Sequence, residues 1–200
     1  MGLKTKIYFS PLFYILYIWG RIRKVLGGRC MVYGVYNSET HTMQKRCRIA
    51  STAIITDRDK LKIGDNVWIN HYSRIDAAGG VRIEEGCQIG FGACILSHST
   101  HISIRLMGWC YMEYDAHERA GYIAKQTVIG KYSFIGGGSY ILPGVHIGKG
   151  CIVGVNSVVT HDIPDYAIVA GSPAKIIGST EKMDSSFLVD SSIKGMYYNQ

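Results

Sequence analysis

Aliphatic residues recur at every sixth position along most of the chain between residues 63 and 159. The residues that define this repeat are Ile63, Ile69, Ile75, Ile83, Ile89, Ile95, Ile129, Ile135, Ile141, Ile147, Val153 and Val159. The next position is often glycine, and the fourth position after the aliphatic residue is usually small or branched. A period of six is neither helical nor the simple alternation of a hairpin strand. It predicts triangular coils of about eighteen residues, with aliphatic side chains on the axis and stacked sides paired as parallel strands.

The repeat is irregular at its start and interrupted once in its middle. Residues 31–60 are interpreted as an irregular first coil, because a charged stretch breaks their rhythm. Between Ile95 and Ile129 the repeat lapses, which predicts one long outward loop at about residues 101–126. Exposed aromatic residues on a long loop favour a binding role, with Trp109 as a contact to the substrate. The alternative is that this loop docks on a neighbouring subunit.

The N-terminal segment, residues 1–30, combines an apolar run at 7–19 with a basic cluster at 21–24. The run is shorter than the roughly 20 residues needed to cross a bilayer. Residues 1–50 hold nine Lys/Arg and one acidic residue, whereas residues 51–200 hold thirteen Lys/Arg and fourteen Asp/Glu. A predicted helix here fits peripheral contact with an anionic membrane surface. It fits equally well a helix packed on the body or on a neighbouring subunit.

Composition narrows the class of protein further. With 47% apolar and 18% charged residues, the chain is not predicted to be disordered. Its six cysteines form no CxxC pair, so we expect no zinc or redox motif and favour a reducing cytoplasm. We expect no metal site at His98 and His101. Nucleic-acid binding is disfavoured because the basic residues lie in an apolar segment.

Two segments resemble the hexapeptide-repeat acyltransferases, whose type members are galactoside, maltose and xenobiotic acetyltransferases. These segments are residues 63–70, IGDNVWIN, and residues 162–175, which are similar to the closing motif D-[IV]-P-x-x-x-[IV]-x-x-G-x-P-[AC]-[KR]. The resemblance covers about residues 61–178. It implies an all-β fold, a left-handed parallel β-helix over residues 31–178. It also implies a homotrimer with active sites at the interfaces and acetyl-CoA as acyl donor. Residues 179–200 form a C-terminal tail of unassigned role.

The resemblance also implies a catalytic histidine at the start of the loop, which takes the proton of the acceptor hydroxyl. His101 fits this position with one inserted residue and is favoured, while His98 would require the loop to begin two residues earlier. Asn70 matches an asparagine that contacts the acceptor, one coil before the histidine and on the same side of the prism. The group that orients the histidine is left open. A backbone carbonyl would serve, and the acidic candidates are Glu84, Glu85, Glu113 and Asp115.

Coenzyme A is expected in an outer groove between two subunits, near the C-terminal coils. By resemblance, the residues that contact it are Gly137, Val155, Thr160, His161 and Lys175. His161 stands where the family often has Lys or Arg, so Lys175 is the cation available for a phosphate.

These observations together predict an acetyl-CoA-dependent O-acetyltransferase that acts on a sugar hydroxyl by direct transfer. The basic N-terminal segment suggests a role in surface polysaccharide synthesis, with a small-molecule or lipid-linked glycan acceptor at the inner face of the membrane. One alternative is N-acetylation of an aminosugar or an antibiotic. An alternative of another class is a non-catalytic β-helix that serves as a scaffold.

Overall fold

A computed structural model describes residues 10–25, 27, 29–37 and 41–198. In it the hexad repeat forms a parallel β-helix with three sheets, which are the three sides of a prism. The first nine residues of the predicted N-terminal segment lie outside the described residues, as do residues 199–200 at the end of the tail.

Each side of a coil contributes a strand to one of the three sheets. The first sheet contains β1 Met31–Asn37, β2 Thr42–Ala50, β5 Trp68–Ile69, β8 Gln88–Ile89, β13 Phe134–Ile135, β16 Ile152–Val153, β18 Ala167–Gly171 and β19 Ala174–Ser179. The second contains β3 Ile54–Thr56, β6 Arg74–Asp76, β9 Cys94–Leu96, β14 Tyr140–Ile141 and β17 Val158–Val159. The third contains β4 Leu61–Ile63, β7 Val81–Ile83, β12 Thr127–Ile129 and β15 His146–Ile147. Neighbouring coils pair in parallel, while β1 and β19 run antiparallel to their neighbours.

The core lies on the axis of the prism, as the repeat predicted. All twelve aliphatic hexad residues are between 0 and 7% exposed, and ten of the twelve residues four positions later are also buried. The register stacks them directly, so that Ile69 pairs with Ile89 and Ile89 pairs with Ile135. Burying one such side chain contributes roughly 1.5–3 kcal/mol, so these stacked layers are a large source of stability.

Each corner brings the backbones of adjacent coils close together. A Cβ atom on Gly136 would lie 2.6 Å from the carbonyl oxygen of Val153, which explains why glycine follows the aliphatic residue. The third residue after the aliphatic one adopts a left-handed conformation at many corners. Asn66 and Tyr132 do so with φ of 55° and 57°. Six of the twelve hexads therefore combine a packing glycine with a left-handed turn residue two positions later.

A helix, Leu12–Val25, covers the N-terminal end of the prism. It buries Phe13 and Gly20, and Gly20 allows close approach to the backbone of β1 at Val32. Most of its other apolar side chains are exposed. They are Leu12, Tyr14, Ile15, Leu16, Ile18, Trp19, Ile22 and Val25. No helix among the described residues has both the length and the apolar character needed to span a membrane.

The remaining short elements decorate the coils. They are a 3-10 turn Arg58–Lys60, a loop helix Ser103–Met107, 3-10 turns Gly108–Glu113 and Ala116–Glu118, and C-terminal helices Thr180–Ser185 and Ser191–Lys194. The loop opens and closes with a small antiparallel pair, β10 His98–Ser99 and β11 Ile123–Ala124. The C-terminal tail folds back onto the prism, where the Tyr198 ring lies 4.6 Å from that of Tyr132.

Candidate active site

The long loop leaves the prism at the corner between the second and third sheets. Asp76 ends β6, and its register partner on the next coil is Leu96 at the end of β9. His98 therefore lies two residues beyond this paired position, at the first turn of the loop. The stacking of two successive coils brings together residues 22 positions apart in sequence.

Asp76 and His98 form a hydrogen-bonded pair at this corner. Asp76 Oδ1 lies 2.7 Å from His98 Nδ1. The carboxylate is 4% exposed, while the imidazole side chain is 32% exposed and reaches solvent. Asp76 Oδ1 also accepts the backbone N–H of Ala78 at 3.2 Å, which fixes its orientation. A carboxylate on Nδ1 holds the proton there and leaves Nε2 as the free acceptor of a proton.

A buried serine fixes the position at which the loop departs. The Ser97 hydroxyl donates to the carbonyl oxygen of Asp76 at 2.7 Å and accepts the N–H of Gly79 at 2.8 Å. The end of the loop returns to the same residue, because Lys125 donates its N–H to the Ser97 carbonyl at 2.9 Å. His98 is thus held on a rigid corner rather than on a mobile part of the loop.

Aromatic rings from the far end of the loop form a wall beside the imidazole. The Tyr122 ring centre lies 6.0 Å from that of His98 and 5.6 Å from that of His117. Burial and the negative charges of Asp76 and Asp57 raise the pKa of Tyr122. Tyr122 therefore stays a neutral phenol and offers an apolar face to the imidazole.

His101 and Trp109, which were also expected near the acceptor, both lie in the long loop. His101 is exposed in the loop, and its Nδ1 lies 2.7 Å from the Ser99 hydroxyl. Trp109 is 82% exposed farther along the loop.

The expectation that Asn70 lies on the same side of the prism as the histidine needs correction. Asn70 follows β5 of the first sheet, so it lies at the corner between the first and second sheets. There its Oδ1 accepts the N–H of His71 at 2.8 Å. The position one coil before His98 is 78, two residues past the end of β6, so Asn70 precedes it by one side of the prism.

The carboxylate that contacts His98 is Asp76, which is not among the four acidic candidates named from the sequence. Glu84 and Glu85 lie at the corner between the third and first sheets, where both face Lys131. The other two acidic candidates, at positions 113 and 115, are exposed in the loop. On the second sheet, the residue after the aliphatic hexad residue is not glycine in any coil, so nothing in the repeat marks Asp76.

The expected coenzyme A residues flank β17, the last strand of the second sheet. Gly137 and the 69% exposed Val155 lie at the corner before it. Thr160 and His161 lie at the corner after it, where Thr160 Oγ1 is 2.8 Å from His161 Nδ1. Lys175 is exposed on β19. Among residues 41–198 and the described part before them, no three His, Cys, Asp or Glu side chains cluster as metal ligands.

Known proteins with similar sequences are named as acetyltransferases. A family model described as bacterial transferase hexapeptide (six repeats) matches residues 126–161. The Saccharomyces cerevisiae protein named "Putative acetyltransferase YJL218W" is 35% identical over 126 residues, which are 62% of this chain and 58% of that protein. The Escherichia coli protein named "Putative lipopolysaccharide biosynthesis O-acetyl transferase WbbJ" is 32% identical over 120 residues, 60% of this chain and 61% of its own.

A solved structure extends the likeness to the fold. The hexapeptide-repeat acetyltransferase VCA0836 of Vibrio cholerae, crystallised with acetyl-CoA, superposes with a TM-score of 0.54 at 26% identity, covering 64% of each chain. These matches confirm the resemblance to hexapeptide-repeat acyltransferases and imply the left-handed coil of that fold. The chain spans less than two thirds of the length of the curated relatives named above.

Proposed function

We propose that this chain, a relative of the hexapeptide-repeat acetyltransferases, transfers the acetyl group of acetyl-CoA to a sugar hydroxyl. The observation that carries this proposal is the His98 imidazole, held by the buried Asp76 carboxylate at the base of an aromatic loop. A histidine oriented by a carboxylate is an arrangement that serves general-base catalysis. A partly exposed imidazole backed by a buried carboxylate supports catalysis over a non-catalytic scaffold.

The reaction proceeds by direct transfer. His98 Nε2 takes the proton of the acceptor hydroxyl while the hydroxyl oxygen attacks the thioester carbonyl carbon. The tetrahedral intermediate collapses with cleavage of the carbon–sulfur bond, and the imidazolium returns the proton to the leaving thiolate. Asp76 keeps the Nδ1 proton in place and stabilises the imidazolium that forms. Donors aimed at the developing oxyanion lower the barrier further.

We assign the base to His98 and place His101 at the entrance for the acceptor. His101 is favoured by the motif count, but its hydrogen bond runs to an exposed serine rather than to a carboxylate. Trp109, exposed on the same loop, is the proposed contact for a sugar ring. Alanine at position 98 should abolish transfer, whereas alanine at position 101 should chiefly raise KM for the acceptor.

We also propose a homotrimer whose active sites lie between subunits. Asn70 and His98 stand at different corners of one prism, so an acceptor could meet both only if two chains contribute. Coenzyme A would lie along β17, with Gly137, Val155, Thr160, His161 and Lys175 as its contacts. Co-expression of His98→Ala with Asn70→Ala tests this arrangement. In a mixed trimer, one of the three interfaces combines an intact His98 with an intact Asn70. Mixed trimers should therefore regain at most about one third of wild-type activity, and trimers of either variant alone should have none.

The N-terminal helix suggests where the enzyme works. Its exposed apolar side chains and neighbouring Arg21 and Arg23 fit the interface of an anionic membrane. The cysteines in the described residues are free, as suits a reducing cytoplasm. We therefore propose action at the inner face of the membrane, on a lipid-linked glycan precursor of a surface polysaccharide. Flotation with anionic liposomes tests this, and Trp19→Glu should abolish co-flotation.

The decisive assay for the reaction is release of free thiol from acetyl-CoA with a panel of acceptors. Sugars with free hydroxyls should support release that depends on His98. Aminosugars and antibiotics with matched ring structures distinguish N-acetylation, because the product then resists mild alkaline hydrolysis. Absence of release with every acceptor, while coenzyme A still binds, would contradict the proposed activity.

A further inference from the structure

The N-terminal end of the β-helix contains a cavity of about 510 Å³. Its floor consists of first-coil residues that are in register with the buried core of the next coil. Ile49 pairs with Ile69, and Ile55 pairs with Ile75. Unlike their partners, Ile49 and Ile55 are only partly buried, because no earlier coil covers them. The cavity is therefore the open end of the hydrophobic axis.

The walls of the cavity make it a site for an apolar group of limited size. Val35 of β1 and Tyr17 of the N-terminal helix close its sides among the described residues. Its volume lies within the range typical of small-molecule sites. Aliphatic walls give water few hydrogen-bond partners, so an apolar occupant is favoured over solvent.

The rim of the same cavity is cationic. Arg21, Arg58 and Lys62 lie on it, and the acidic residue there is Asp59. Arg21 Nη1 donates to the Tyr17 hydroxyl at 2.8 Å, which holds one guanidinium at the opening. Among the described residues that line the cavity, three cations against one carboxylate favour an occupant that carries a negative charge beside its apolar part.

The cavity opens beside the exposed apolar surface of the N-terminal helix. Val25 belongs to both, since it lines the cavity and is 86% exposed. Ile18 and Ile22 continue the exposed surface along the helix. A chain that leaves a lipid surface could pass from this helix into the cavity without crossing polar surface.

We propose that this cavity binds the hydrocarbon chain of an anionic amphiphile, with its phosphate or carboxylate head at Arg21 and Arg58. The chain would lie on Ile49 and Ile55 and complete the axis that the first coil leaves uncovered. This site is separate from the catalytic pair, which belongs to the following two coils. It would couple the position of the enzyme to the presence of such a lipid.

Calorimetric titration of the full chain, without vesicles, tests the proposal. The probe is dodecyl phosphate below its micelle concentration. Dodecanol supplies the chain alone, and inorganic phosphate supplies the head alone. We expect one dodecyl phosphate per chain, bound about tenfold or more tightly than dodecanol, with no measurable binding of inorganic phosphate.

Two variants locate the bound probe. Ile55→Trp fills the floor of the cavity and should weaken the binding of both dodecyl phosphate and dodecanol by about tenfold or more. Val35→Phe narrows the same cavity from its side wall and replaces it if the tryptophan variant fails to fold. Arg58→Gln should weaken the binding of dodecyl phosphate by about tenfold and leave the affinity for dodecanol unchanged. Arg105→Gln, an equal loss of charge on the exposed loop, is the matched control.

The outcomes separate this proposal from the proposed reaction. Dodecyl phosphate that does not bind without vesicles overturns the cavity site, as does binding that neither cavity variant changes. Inorganic phosphate that binds as tightly as dodecyl phosphate also overturns it, because the head alone would then suffice. Thiol release from acetyl-CoA is measured on the same samples and stands or falls independently.

Discussion

Replacement of Asp76 by asparagine isolates the role of the carboxylate with little change in shape. In the wild type, Asp76 Oδ1 lies 2.7 Å from His98 Nδ1 and accepts the Ala78 N–H at 3.2 Å. The same oxygen makes both contacts, so an asparagine oxygen in its place can keep both hydrogen bonds. What the substitution removes is the negative charge that stabilises the imidazolium formed when His98 takes the proton.

The size of the effect follows from the charge that this hydrogen bond loses. Hydrogen bonds to charged groups contribute roughly 1.5–3 kcal/mol and neutral ones roughly 0.5–1.5 kcal/mol, a difference of about 1–1.5 kcal/mol. Because 1.36 kcal/mol corresponds to a tenfold change in rate, kcat should fall roughly 5- to 13-fold. KM for acetyl-CoA should change less than about twofold, since the lost charge acts on the base and not on the donor.

The assay is thiol release at saturating acetyl-CoA and acceptor, with thermal denaturation of each variant alongside. Ser99→Ala is the matched control, because it removes the partner of the neighbouring His101 and should leave kcat within about twofold. Wild-type kcat in a folded Asp76→Asn enzyme would refute the assignment of His98 as the base oriented by Asp76. A loss of kcat only in proportion to lost folded protein would refute it as well.

Four further measurements test the core and the site. Burial raises the pKa of the Cys87 thiol to about 12, so iodoacetamide at pH 8 should modify it only in unfolded protein, as read by mass spectrometry. Since unfolding restores a pKa near 9.0, the free energy of unfolding should fall as pH rises above that value, and a rise would contradict the burial. Gly136→Ala places a methyl group 2.6 Å from the Val153 carbonyl oxygen and should lower the free energy of unfolding by about 1–3 kcal/mol, measured by urea denaturation. An unchanged denaturation midpoint would mean that the coils are farther apart. Ile141→Ala should lower the free energy of unfolding by about 2–5 kcal/mol in the same assay. A loss of less than about 1 kcal/mol would argue against a buried axis. Tyr122→Phe should retain kcat and Tyr122→Ala should lower it about tenfold, because the ring and not the hydroxyl packs on the imidazole; equal rates for the two variants would dismiss that role.

The periodic part of the structure could be predicted because one physical requirement repeats at every side. Each hexad must bury one aliphatic residue and pass one tight corner, so the twelve buried positions are recorded directly in the sequence. The residue three positions after the aliphatic one adopts the left-handed conformation at many corners, but its type varies more. Glycine shares that position with Asn66, Tyr72, Tyr132 and Asn156, so composition alone did not mark it.

The catalytic pair could not be predicted because it depends on the register between coils rather than on spacing along the chain. The coil that begins at β6 contains two extra residues, and the next coil carries the whole loop. Counting from Ile83 leads to Thr100, so that His101 fits with one inserted residue, whereas the observed pairing of Asp76 with Leu96 leads to His98. A histidine two residues past a paired strand end is visible only once the strands are aligned.

The two antiparallel strands at the ends of the first sheet have a consequence for solubility. A stack of identical parallel coils has a natural tendency to extend, since its last coil offers open backbone groups to the first coil of another molecule. Here β1 on β2 and β19 on β18 reverse the strand direction at both ends. A second molecule that approaches end to end meets a strand whose hydrogen-bond groups are spaced for the wrong direction. On this side of the prism, the end strands thus disfavour continuation of the parallel sheet into a second molecule.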